Sequence, residues 1–163
     1  MLAARLLVLA ASLWLIALLA APAALRSPHP FLVGAAAVVY DAGSLVCHQR
    51  PERSFAIEGR AMPVCARCSG LYGSAAAGGI LALFAGAGAL NRRRARVLLV
   101  ICALPTIVTF AAEHAGLWLP SNATRAIAAL PLGLAAAWTV IGMLNAARRR
   151  PRASLAGYGE ASP

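Results

Sequence analysis

Long apolar runs alternate with short polar breaks along the chain, and the pattern divides it into five candidate helices. Residues 2–25 are apolar apart from Arg5. At about 1.5 Å per residue such a helix crosses a hydrocarbon core of about 30 Å. Ala21-Pro22-Ala23 resembles a small-residue cleavage site, but the run is long for a signal sequence and its charged start is thin, so a retained helix is expected. Pro28 and Pro30 break the pattern before a second, short apolar segment, 31–46, which Asp41 interrupts and which is expected either to span or to sit partly in the interface. Residues 47–63 are polar, with Arg50, Glu52, Arg53, Glu58 and Arg60 around the turn residues Pro51 and Gly59, and read as a loop. Apolar segments at 70–90, 97–119 and 126–147 complete the set. In the third, Ser69, Gly73 and Ala77, and again Gly70, Ser74 and Gly78, recur every fourth residue. Such small-residue stripes let membrane helices approach closely, either within a bundle or between copies of a homo-oligomer.

Composition fixes the class. The chain has 163 residues, 61% hydrophobic and 12% charged, where soluble domains carry about a quarter charged residues. The expected fold is all-α: a polytopic membrane helix bundle of about five transmembrane helices with a loop bearing Cys and His. A single domain is expected over 1–147, followed by a basic, disordered tail over 148–163.

The charge adds an orientation. The formal net charge is +10, and every basic residue is arginine. Arginine-only basicity with abundant Ala and Gly suggests a prokaryote with a GC-rich genome. The arginines fall in runs between apolar segments, without a basic face interleaved with aromatics, which argues against nucleic acid as a partner and for the lipid bilayer. Clusters at 92–96 and 148–152 would face the cytoplasm of the plasma (cell) membrane. With five spans, the 47–68 loop and the N-terminus would then be extracytoplasmic, with the C-terminus inside. Parity also places the 47–68 loop and the 120–122 loop on one side. That gathers Asp41, Arg53, Arg67, Glu113, His114 and Arg125 into one expected polar chamber, because charge at helix depth is expensive and faces bundle interiors or wet cavities. Internal pairing with the acidic residues Asp41, Glu52, Glu58 and Glu113 is the expected role of these arginines. The competing role is binding an anionic lipid or another small ligand through guanidinium forks.

Three of the four cysteines, Cys47, Cys65 and Cys68, stand in the polar stretch. Cys65-x-x-Cys68 lets two thiolates meet one ion, and Cys47 with His48 or His114 would complete a tetrahedron. Thiolate with imidazole favours zinc over iron. Two other uses compete: a membrane thiol–disulfide oxidoreductase using Cys65 and Cys68 at a helix start, and a static bridge. Cys102, among Ile101, Ala103 and Leu104, reads as a packed thiol.

Cys47-His48-Gln49, Arg53-Ser54-Phe55 and the run from Pro63-Val64-Cys65-Ala66-Arg67-Cys68 through Ser69-Gly70-Leu71-Tyr72-Gly73 resemble the signature of a family of small prokaryotic membrane proteins, domain of unknown function 2085. Ser121-Asn122-Ala123-Thr124-Arg125 and Gly133 resemble its second polar segment and last helix. The resemblance covers roughly residues 41–144 and implies an integral membrane protein; it carries no activity and no catalytic residues.

Overall fold

The computed structural model describes residues 2–149. From position 150 onward, the expected basic tail lies outside the described residues. Five helices make up the bundle: α1 (Leu2–Ala24), α2 (Pro30–Ser44), α3 (Ala66–Phe84), α4 (Arg92–His114) and α5 (Asn122–Arg149). The expectation of an all-α bundle holds. Between α2 and α3, a short 3-10 turn (Pro51–Arg53) precedes a small antiparallel hairpin, β1 (Ala56–Ile57) and β2 (Arg60–Ala61).

Four helix boundaries differ from the hydropathy reading for a local reason. α3 starts at Ala66, not 70, because Cys65 takes the extended conformation of an N-cap; its carbonyl accepts the Ser69 amide at 2.9 Å. It ends at Phe84, short of 90, because Gly86 turns left-handed at φ +63. α4 starts at Arg92 because the Asn91 side chain accepts the Arg94 amide at 2.8 Å, so the arginines of this cluster form the helix's first turns. α5 starts at Asn122, four residues before the apolar run, because Ser121 Oγ accepts the Thr124 amide at 3.1 Å.

The centre of the bundle is the parallel pair α3 and α5. Gly70 lies so close to the Ala126 backbone that a Cβ would collide with its carbonyl, and Gly78 stands in the same relation to Leu134. The Gly70-Ser74-Gly78 stripe is therefore buried within the chain against α5. α4 packs antiparallel on α5, where Thr106 Oγ1 donates to the Ala128 carbonyl at 2.7 Å.

α1 runs antiparallel to α3 and contributes to both ends of the bundle. Ala4 and Val8 pack with Ala82, Ala87 and Ile141, while Leu18 packs with Cys47, Met62 and Val64. The start of α1 is thus at the end of the bundle opposite the cysteine loop, whereas five crossings would bring the two to one side. The reason is α2. Arg26, just before it, pairs with Glu58 at 3.0 Å. Near its end, Tyr40 Oη donates to the Ala61 carbonyl at 2.6 Å. Both ends of α2 are therefore tied to the 47–63 segment. Its 15 residues measure about 22 Å, short of a hydrocarbon core of about 30 Å. Three helices, α1, α4 and α5, are long and apolar enough to cross a membrane.

Candidate functional site

Chemistry collects where the 47–63 loop meets the first turns of α3 and α5 and the last turn of α4. Gln49, at positive φ, anchors the loop: its Nε2 donates to the Tyr40 carbonyl at 2.6 Å and the Pro63 carbonyl at 2.8 Å. That clamp sets Cys47 beside the start of α3. The Cys65 amide donates to Cys47 Sγ at 3.1 Å, which fixes that sulfur at the start of α3. Cys47, Cys65 and Cys68 form one group whose sulfurs all lie within 4.8 Å of one another. Met62, Val64 and Leu18 pack behind it. All four cysteines are free in this structure. The Cys68 thiol donates to Cys65 and, against the opposing effect of burial, holds the Cys65 thiol down to about 5.

A second cluster centres on Glu113, whose side chain is only 2% exposed. Arg125 reaches both of its oxygens, Nη2 to Oε1 at 2.7 Å and Nε to Oε2 at 3.4 Å. Arg67 Nη2 donates to Oε2 at 2.8 Å, and Arg53 Nε lies 3.2 Å from Oε1. One carboxylate thus joins the 3-10 turn, α3, α4 and α5. Asn122 completes the join: its Oδ1 accepts from Arg125 at 2.8 Å and its Nδ2 donates to the Ser54 carbonyl at 2.9 Å. Arg67 also lies over the Phe110 ring at 5.5 Å, and Phe110 stacks on His114 with centroids 4.7 Å apart.

The two clusters share one cleft of about 460 Å³, within the range of small-molecule sites. All three cysteines line it, as do Arg50, Arg53, Arg67 and Arg125. Of the site residues read from the sequence, the structure brings together Cys47, Cys65 and Cys68 as one group, and Arg53, Arg67, Glu113 and Arg125 as the other. His48 and His114 line the cleft but are exposed and stand outside the three-sulfur group. Asp41 is exposed on α2 and does not join the chamber. The expected pairing of arginines with four acids is also corrected. Among the described residues Glu113 takes three of them, Glu58 pairs with Arg26, and Asp41 and Glu52 form no ion pair. Phe110 is absent from the sequence reading, and Gln49 and Asn122 enter it only as members of the family-like motifs, without a role. Phe110 carried a usable signal, one helical turn before both Glu113 and His114. Cys102 stands apart, half-buried on α4.

A family described as "Predicted membrane protein (DUF2085)" matches residues 47–139, which span both clusters. An uncharacterised protein of Methanocaldococcus jannaschii is 59% identical over 34 residues, covering 21% of this chain and 22% of that protein. A second uncharacterised protein, from Methanothermobacter thermautotrophicus, is 32% identical over 90 residues, covering 55% of this chain and 78% of its own length. The chain thus spans about a fifth of the first relative and most of the second. No solved structure matches it significantly.

Proposed function

Since the chain belongs to the DUF2085 family of predicted membrane proteins, we propose that it is a membrane protein that binds one metal ion, zinc by preference, through Cys47, Cys65 and Cys68. The observation that carries this reading is the meeting of three sulfurs from two separate segments within 4.8 Å. The amide bond to Cys47 supports it, because metal sites rely on such outer hydrogen bonds to hold their ligands. Three thiolates leave one tetrahedral corner, and the cleft supplies its donor: His48, His114 or a bound ligand. Thiolate softness favours zinc, with iron the second choice. The ion would pin the loop over the polar chamber. We further propose that the loop end is extracytoplasmic in the plasma membrane, with the arginines of 92–96 in the cytoplasm, following the positive-inside rule.

A second reading is a thiol–disulfide exchange between Cys65 and Cys68, supported by the lowered Cys65 thiol. Both thiols would lose their protons and two electrons would pass to a partner disulfide, which would leave as a dithiol.

Elemental analysis of the detergent-purified protein, with thiols counted before and after chelation, separates the two. The metal reading expects about one zinc or iron per chain, lost in Cys65→Ser and Cys68→Ser but kept in Cys102→Ser. No metal, with two thiols appearing only on reduction, would replace it with the redox reading.

A further inference from the structure

The cleft carries an imbalance of charge that the metal reading does not use. Four arginines line it, and no carboxylate does. Glu113 stands behind three of them as a back-plate, engaging one part of each guanidinium. One carboxylate cannot neutralise three guanidiniums. Arg125 and Arg67 are nevertheless drawn well out of water, their side chains 9% and 14% exposed. Burying unmatched positive charge is costly, the more so in a membrane bundle. Arg67 shows the deficit in one atom: its Nε is fully buried and has no hydrogen-bond partner. Arg50 makes no side-chain ion pair and lies exposed at the rim.

We propose that this cleft is a binding site for a dianionic phosphate group, borne by a soluble phosphate or by a lipid headgroup. The charges select the class. A divalent ion with three thiolates is one net negative charge, and Glu113 a second, against four guanidiniums; the residual matches a dianion. The geometry selects the shape. The arginines converge from the loop, the 3-10 turn, α3 and α5. A tetrahedral oxyanion accepts from several directions at once, whereas a planar carboxylate is served by one fork. Arg67 and Arg125, held by Glu113, form the buried floor, and Arg50 and Arg53 form the more exposed rim from which the anion is approached. The inference goes beyond the metal reading: the arginines carry the anion site, and the choice of a dianion rests on the metal-loaded thiol group beside them.

The test uses the full chain in two settings. Calorimetric titration with inorganic phosphate in detergent probes the soluble source. Retention of phosphatidate over phosphatidylcholine on purification from mixed vesicles probes the headgroup source. Binding in either setting, weakened about tenfold or more by Arg50→Gln or Arg53→Gln, is the expected result, since each guanidinium contributes a charge-assisted bond. Arg50→Gln keeps the test open if Arg53→Gln unfolds, because Arg50 forms none of the Glu113 contacts. Arg93→Gln, at the opposite end of the bundle, is expected to change nothing. Absence of binding in both settings overturns the proposal. So does binding indifferent to Arg50 and Arg53, or equally weakened by Arg93→Gln. Metal content measured on the same samples scores the thiol site separately.

Discussion

Arg125 grips Glu113 across both carboxylate oxygens, from the first turn of α5 to the last turn of α4. This pair closes the α4–α5 connection, and Arg53 and Arg67 converge on the same carboxylate from the loop and α3. The contact is structural and electrostatic together: it holds three elements against α4 and sets the positive floor of the cleft.

Removing the shared carboxylate leaves three guanidiniums facing one another in a buried site. Glu113→Ala is therefore expected to destabilise the protein by about 3–5 kcal/mol, the range for breaking a buried ion pair by deleting one partner. Glu58→Ala removes only an exposed pair with Arg26 and should cost no more than about 1 kcal/mol. Thermal unfolding in detergent checks both. Equal effects would mean that Glu113 is not the hub.

The contact between α3 and α5 depends on the absence of side chains. At Gly70 and Gly133 an added Cβ meets the backbone of the facing helix, while at Gly73 it meets open space. Gly70→Val or Gly133→Val should lower the unfolding temperature sharply, by the 1–3 kcal/mol of ordinary overpacking or more. Gly73→Ala should leave it unchanged or raise it slightly, since alanine is the better helix former by about 1 kcal/mol. A Gly73→Ala variant as unstable as Gly70→Val would contradict this packing.

Much of this arrangement is written in local spacing. The Gly70-Ser74-Gly78 stripe announces a close helix contact, and Cys65-x-x-Cys68 with Cys47 announces a shared sulfur site. Glu113 as the hub is not local information. Its partners come from positions 53, 67 and 125, and Arg125 faces it only because Ser121 starts α5 a turn before the apolar residues do. Asp41 has the same charge and a similar apolar setting, yet it is exposed on α2. The sequence of α2 leaves both of its uses open for a related reason. Apolarity distinguishes a helix that meets lipid from one that does not, but not a helix that crosses from one that returns. The contacts of Arg26 and Tyr40 with the hairpin, long-range in sequence, make that distinction.

Thiol ionisation sets the pH dependence of metal binding. Cys65, held down to about 5 by the Cys68 hydrogen bond, is already a thiolate at neutral pH and releases no proton to a metal there. Cys68, whose thiol proton that bond retains, must lose it, because only thiolates bind. Affinity for zinc should therefore fall as pH falls, by about tenfold or more per pH unit near neutrality. Below about 5 Cys65 itself protonates and the fall steepens. Competition against a chromophoric chelator at several pH values measures it. An affinity independent of pH would show that the ion is not held by these thiols.

The position of α2 makes a prediction about the whole bundle. We infer that α3, packed along its length on α5, crosses with α1, α4 and α5 while α2 stays at the loop end, which makes the number of crossings even. A reporter fused before Leu2 and one fused at the end of the chain should therefore signal from the same side of the membrane. A charged maleimide that cannot cross the bilayer should reach reduced, metal-stripped Cys65 or Cys68 from the other side, in intact cells if the loop end is extracytoplasmic. Fusion reporters active only in the cytoplasm or only outside it read the termini directly. Termini on opposite sides would mean that α2 crosses, and its anchoring to the hairpin through Arg26 and Tyr40 would not describe the protein in the membrane.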